Sequence, residues 1–173
     1  LTGAHIPFAV RARVCLLRDL GSALAPDNAF SIIQGLETVA LRMKQHCENA
    51  QKVVNFLKKH KEVTKVIYAT EYEKAIADRA KKYLNGGNGP MIGIELKGGM
   101  EAGKKFIESL KMFYHVANIG DAISLAIHPA STTHSQLNEK ELAASGVTQS
   151  YIRLCIGLEH IDDIIGDLEQ ALN

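Results

Sequence analysis

Two rhythms of apolar residues divide the chain. From Pro26 to about His60 they recur at helical spacing through Ile32, Ile33, Leu36, Val39, Met43, Cys47, Ala50, Val53, Val54 and Leu57, and period 3.6 predicts one long helix or two bent at Gly35. Beyond His60 the elements shorten and turn residues separate them, the texture of a compact α/β or α+β unit. Strands are expected at Val63 to Tyr68, Met91 to Leu96, Phe113 to Ala117, Ile123 to Ile127 and Tyr151 to Ile156. Helices are expected over about 71–84 and 100–111, from Asn138 to Gly146, and from about Asp162 to the end, where Ile161, Ile164, Ile165, Leu168, Ala171 and Leu172 form an apolar stripe. Asn138 with Glu141 reads as a capping box, and Asn85-Gly86-Gly87-Asn88-Gly89-Pro90 as a loop.

Ahead of the long helix, residues 6 to 20 read as a helix closed by Gly21, with Phe8, Val10, Val14, Leu16 and Leu17 as core candidates. The chain begins Leu1-Thr2-Gly3-Ala4 without Met and moves straight into these residues, so it reads as part of a larger protein. Three segments are expected: 1–25 as the tail of an upstream domain, 26–60 as a long connecting helix and 61–173 as a small C-terminal domain.

Composition narrows the possible roles. With 46% apolar residues among 173, the chain can bury a real core. Twenty Lys and Arg against 19 Asp and Glu leave a formal charge of +1 with both signs interspersed, so nothing points to nucleic acid. No apolar run reaches the ~20 residues that cross a bilayer, and a cytoplasmic protein is expected. Cys15, Cys47 and Cys155 are scattered without C-x-x-C spacing, which argues against a disulfide framework or zinc. No metal site is expected.

Gly98-Gly99-Met100-Glu101-Ala102-Gly103-Lys104-Lys105 satisfies the G-x-x-x-x-G-K spacing of a phosphate loop. Lys105 stands where a Ser or Thr must hold magnesium, so the bland reading is a glycine turn opening a surface helix. The alternation of the last strand sets Ile152, Leu154 and Ile156 against Tyr151, Arg153 and Cys155. A guanidinium there must face solvent, pair with an internal carboxylate or await an anionic ligand. Its paired donors match a carboxylate, which suits an amino acid. The turn Asn118-Ile119-Gly120-Asp121 and the loop His128-Pro129-Ala130-Ser131-Thr132-Thr133-His134 carry small hydrogen-bonding groups and read as pocket walls beside Arg153. For His128 and His134 the alternative is that they simply tie the loop down.

These segments, with Leu17-Arg18-Asp19-Leu20-Gly21, Pro26 to Phe30, Gln34 to Thr38 and Val116 to Asp121, resemble the C-terminal part of the Cys/Met-metabolism family of pyridoxal-phosphate enzymes, of fold type I. The resemblance runs from about Arg11 to Asn173 and is strongest to the O-acetylhomoserine sulfhydrylase branch, ahead of cystathionine γ-synthase, cystathionine lyases and methionine γ-lyase. It implies an aspartate-aminotransferase-like C-terminal domain, with a small mixed or antiparallel sheet, helices on one side and a long helix before it. It implies that Arg153 binds the substrate α-carboxylate and that Asn118 contacts it through the main chain. Ile123 departs from the family, whose members often carry a polar or charged residue there. The resemblance also implies a homotetramer of methionine biosynthesis using pyridoxal 5'-phosphate, held mainly by an upstream domain. The catalytic lysine and the cofactor-binding groups match nothing here, so no catalytic or cofactor-binding residue is assigned in the chain, and alone it is expected to be inactive. A non-catalytic assembly module is the contrasting reading.

Overall fold

The computed structural model describes residues 6–173, in two compact units, one ending at Val39 and the other spanning Ala40–Asn173. In the first, helix α1 (Pro7–Arg11) runs through a π-helical stretch (Ala12–Leu17) into α2 (Arg18–Leu20), closed by Gly21 at φ 69°. Pro26 occupies the first turn of α3 (Pro26–Glu37), where its missing N–H costs no helical hydrogen bond. Of the apolar residues taken for core in this unit, Val10 is half-buried and the others are open to solvent in the described chain, Phe8 at 84% and Leu16 at 49%. The expected 26–60 helix is interrupted at Thr38 (φ −109°, ψ 2°), after which α4 (Val39–Leu57) begins. The break lies three residues beyond Gly35, which stays helical.

In the second unit β1 (Val63–Ile67), β2 (Met91–Leu96), β3 (Leu125–Ile127) and β4 (Tyr151–Cys155) form an antiparallel sheet in the order β1-β2-β4-β3. One face carries Ile92, Ile94, Leu96, Ile152 and Leu154 into a single core with Val53, Val54 and Leu57 of α4, Phe106 of α6 (Gly99–Ser109), and Ile164 and Leu168 of α8 (Ile161–Leu172). Burying each such side chain stabilises the fold by about 1.5–3 kcal/mol. The strand expected at Phe113 to Ala117 does not form; only Tyr114 bridges to Leu125, and the chain here is fastened differently. The carboxylate of Asp167 on α8 accepts the backbone N–H groups of Lys111, Met112 and Phe113 at 2.8–3.4 Å. A side chain thus does what a ladder would have done.

Helix α5 (Lys74–Tyr83) follows β1, and α7 (Glu139–Ala144) has the expected capping box between Asn138 and Glu141. The phosphate-loop lookalike resolves into packing. A Cβ at Gly103 would lie 2.6 Å from Nε2 of His128, and Lys104 pairs with Glu101 at 2.9 Å. Among the described residues no helix is long and apolar enough to cross a membrane, and no three His, Cys, Asp or Glu gather to hold a metal.

Candidate active site

The face of β4 turned away from the core presents Tyr151, Arg153 and Cys155. Arg153 sits in the centre of the sheet, opposite Gly93 on β2 and Ile127 on β3. Its guanidinium donates to the Asn118 carbonyl at 3.3 Å, and it takes part in none of the ion pairs among the described residues. Of the three fates open to it, the internal ion pair is therefore absent. A half-buried guanidinium with one backbone acceptor keeps donors for a ligand.

The Asn118–Asp121 turn is held over β4 from two sides. Gly120, at φ 73°, donates its N–H to Sγ of Cys155 at 3.3 Å. Burial pushes the Cys155 thiol up in pKa, opposed by the Gly120 hydrogen bond and by Arg153, so Cys155 works as a neutral fastener. At the far end Glu159 accepts Ser124 N–H at 2.6 Å and its hydroxyl at 2.9 Å, while Ser124 Oγ accepts from Gly157 N–H. Asn49 of α4 donates to the carbonyls of Gly157 and Glu159, and Nδ1 of His46 to that of Ile156. A Cβ on Gly157 would lie 2.6 Å from both the Ala122 carbonyl and the Ser124 nitrogen. This buried network fixes the segment after the turn, and the sequence signal for it was Asn49 standing on the apolar stripe of α4.

The 128–134 loop does not serve as the second wall. It leaves the sheet at the residue after Ile127, but His128 turns inward, donating from Nε2 to the Gln149 carbonyl at 2.8 Å and meeting Ser131 Oγ with Nδ1. That is the loop-tying role, and it explains why the room above Gly103 must be empty. His134 stays local, against Thr133 Oγ1. Ile123 is 41% exposed, its N–H on Asp121 Oδ1.

The wall instead comes from α5 and the segment before it. A cavity of about 510 Å³ opens beside Arg153, bounded by Ile67, Tyr72, Tyr83, Met91 and Tyr151. Neither a lysine nor a carboxylate lines it. Two guanidinium groups, those of Arg153 and of Arg79 on α5, stand there among apolar and aromatic surface, a lining that fits a carboxylate. The lining offers neither an amine to anchor a pyridoxal group nor an acid to face its ring nitrogen.

The family model for Cys/Met metabolism PLP-dependent enzymes matches residues 5–173. An O-acetyl-L-homoserine sulfhydrylase of Leptospira meyeri is 52% identical over 98% of the chain and 39% of its own length. An L-methionine gamma-lyase of Fusobacterium nucleatum is 44% identical over 90% of the chain and 40% of its own. A crystal structure described as an O-acetylhomoserine (thiol)-lyase from Campylobacter jejuni, containing N'-pyridoxyl-lysine-5'-monophosphate, superposes with a TM-score of 0.87 at 44% identity, over 98% of this chain and 40% of that one. The chain thus spans about two fifths of the length of these relatives. With Arg153 in no ion pair among the described residues, on a four-stranded antiparallel sheet backed by helices, the chain belongs to the Cys/Met metabolism family of PLP-dependent enzymes.

Proposed function

We propose that the complete protein is a pyridoxal-phosphate-dependent transferase, an O-acetyl-L-homoserine sulfhydrylase that makes homocysteine and acetate from O-acetylhomoserine and sulfide in methionine biosynthesis. The described residues form its substrate-carboxylate side. The observation that carries this reading is the guanidinium of Arg153, which has a backbone acceptor and no carboxylate partner among the described residues.

Arg153 takes the α-carboxylate in a two-pronged contact, each charge-assisted hydrogen bond contributing about 1.5–3 kcal/mol. The carbonyl of Asn118 keeps the guanidinium turned toward the turn, and the main chain of Asn118 borders the bound carboxylate. The residues around Arg153 thereby orient the amino acid and move no proton. Bound pyridoxal phosphate supplies the electron sink for the chemistry at the substrate's carbon atoms, and the lysine and phosphate-binding groups that hold it lie outside these residues. The enzyme works as a homotetramer in the cytoplasm.

In the complete enzyme loaded with cofactor, Arg153→Ala lowers kcat/KM for O-acetylhomoserine by roughly two orders of magnitude or more, as expected when a contact worth about 3–5 kcal/mol is broken. Arg153→Lys recovers little, because an ammonium lacks the fork. Near-normal turnover in Arg153→Ala would dismiss the assigned role. Assaying sulfide addition to O-acetylhomoserine beside elimination from methionine decides between the sulfhydrylase and the lyase reading, the second favoured by the 44% identity to a methionine gamma-lyase.

A further inference from the structure

We propose that Tyr151 and Gly93 act as a pair of positioning residues that hold Arg153 out toward the Asn118 turn, an inference that rests on the carboxylate-binding reading of Arg153. In the sheet Tyr151 is registered opposite Glu95, and Arg153 opposite Gly93. The tyrosine ring does not stay over its own partner. It leans two residues along β2, onto Gly93, where a Cβ would lie 2.6 Å from Cε2, 2.8 Å from the hydroxyl and 3.0 Å from Cζ. Directly opposed residues of an antiparallel pair hold their Cβ atoms about 4.5–5.5 Å apart, so the ring occupies the space next to the root of the Arg153 side chain that any other residue at 93 would fill.

The consequence is directional. On the β2 side the tyrosine ring fills the space over Gly93 that the arginine stem could otherwise enter, and on the other the Asn118 carbonyl accepts from its terminal nitrogen. Without the ring, the stem could swing away from the Asn118 carbonyl into the space over Gly93, at one side of the cavity that both residues line, where no carboxylate holds it. A freely rotating arginine loses rotamer entropy each time a ligand binds, whereas one confined beforehand loses less. Tyr151 is half-buried, and burial foremost raises the pKa of its phenol, with the charge of nearby Arg153 acting the other way. None of the hydrogen bonds among the described residues uses its hydroxyl oxygen, so ring bulk carries the effect.

The test is steady-state kinetics on the complete, cofactor-loaded enzyme. Tyr151→Ala is expected to raise KM for the amino-acid substrate about tenfold with kcat within about twofold, the signature of lost carboxylate binding, while Tyr151→Phe stays near the parent. Gly93→Ala, which adds only a methyl group, is expected to displace the ring and raise KM in the same sense, and it reports on the idea should Tyr151→Ala fail to fold. In an Arg153→Ala background Tyr151→Ala should add nothing further, because two residues acting through one contact are not additive. If Arg153→Ala itself leaves KM and turnover unchanged, the carboxylate reading falls. If Arg153→Ala is impaired but Tyr151→Ala and Gly93→Ala leave KM unchanged, or if the Tyr151 effect persists in full without the arginine, the positioning role alone is overturned.

Discussion

Residues 152 and 154 of β4 are fully buried, while residues 151 and 153, one step away on the same strand, line a cavity. The helix-covered face is closed by shape, its apolar side chains packed between sheet and helices. The other face is open at its centre, with a glycine where a side chain would be and a guanidinium in no ion pair among the described residues. Alternation from Tyr151 to Leu154 separates what keeps the sheet folded from what the proposed site offers a ligand.

The contrast predicts that activity and stability separate along the strand. Arg153→Ala, whose loss in kcat/KM is the largest effect expected, should change unfolding free energy by less than about 1 kcal/mol, since no ion pair is broken. Chemical denaturation of the variant checks this, and a large destabilisation would mean the open face also holds the fold together. Leu154→Ala should do the reverse, costing roughly 2–5 kcal/mol of stability while the surviving folded fraction keeps its KM.

The two tyrosines sharpen the comparison. Tyr68, 3% exposed and donating to the Gly89 carbonyl at 2.9 Å, has its pKa pushed up to about 12, by burial first and by Cys47 second. Above pH 10 the unfolded chain gives up this proton while the folded one keeps it until about 12, so stability falls as pH rises through that window, by roughly 2–3 kcal/mol in all. Tyr68→Phe should remove that part of the alkaline loss, measured as the difference between denaturation curves at pH 9 and near pH 12. Among the substitutions expected to destabilise the fold, the smallest loss comes from Glu159→Gln, which weakens the two hydrogen bonds that Ser124 donates to it and should cost about 1–2 kcal/mol. Faster hydrogen exchange confined to the 122–125 backbone would confirm that the network is local, and global loosening would not.

Much of this was legible in the residues, because period and punctuation are local. The stripe of α8, the capping box at Asn138, Gly21 as a helix stop and the central strand at Met91 to Leu96 all stand where the pattern set them. So does the odd placement of Arg153. The failures share a cause in contacts distant in sequence. Phe113 to Ala117 alternates like a strand, yet its start is bound by a carboxylate more than fifty residues away. His128 sits in a loop built like a pocket rim, but Gly103 gives its ring a place inside. The cavity wall from α5 and the segment before it was invisible because nothing local to the 71–84 stretch sets Tyr72 and Tyr83 beside Arg153.

Asp167 has one more implication. Its single carboxylate clasps three consecutive amides in the stretch that leads, a few residues later, to the Asn118 turn. The closing helix therefore acts as a catch for the stretch that carries the Asn118 turn, and on the proposed reading Asp167→Ala would loosen the grip on an amino acid without removing any residue that touches one.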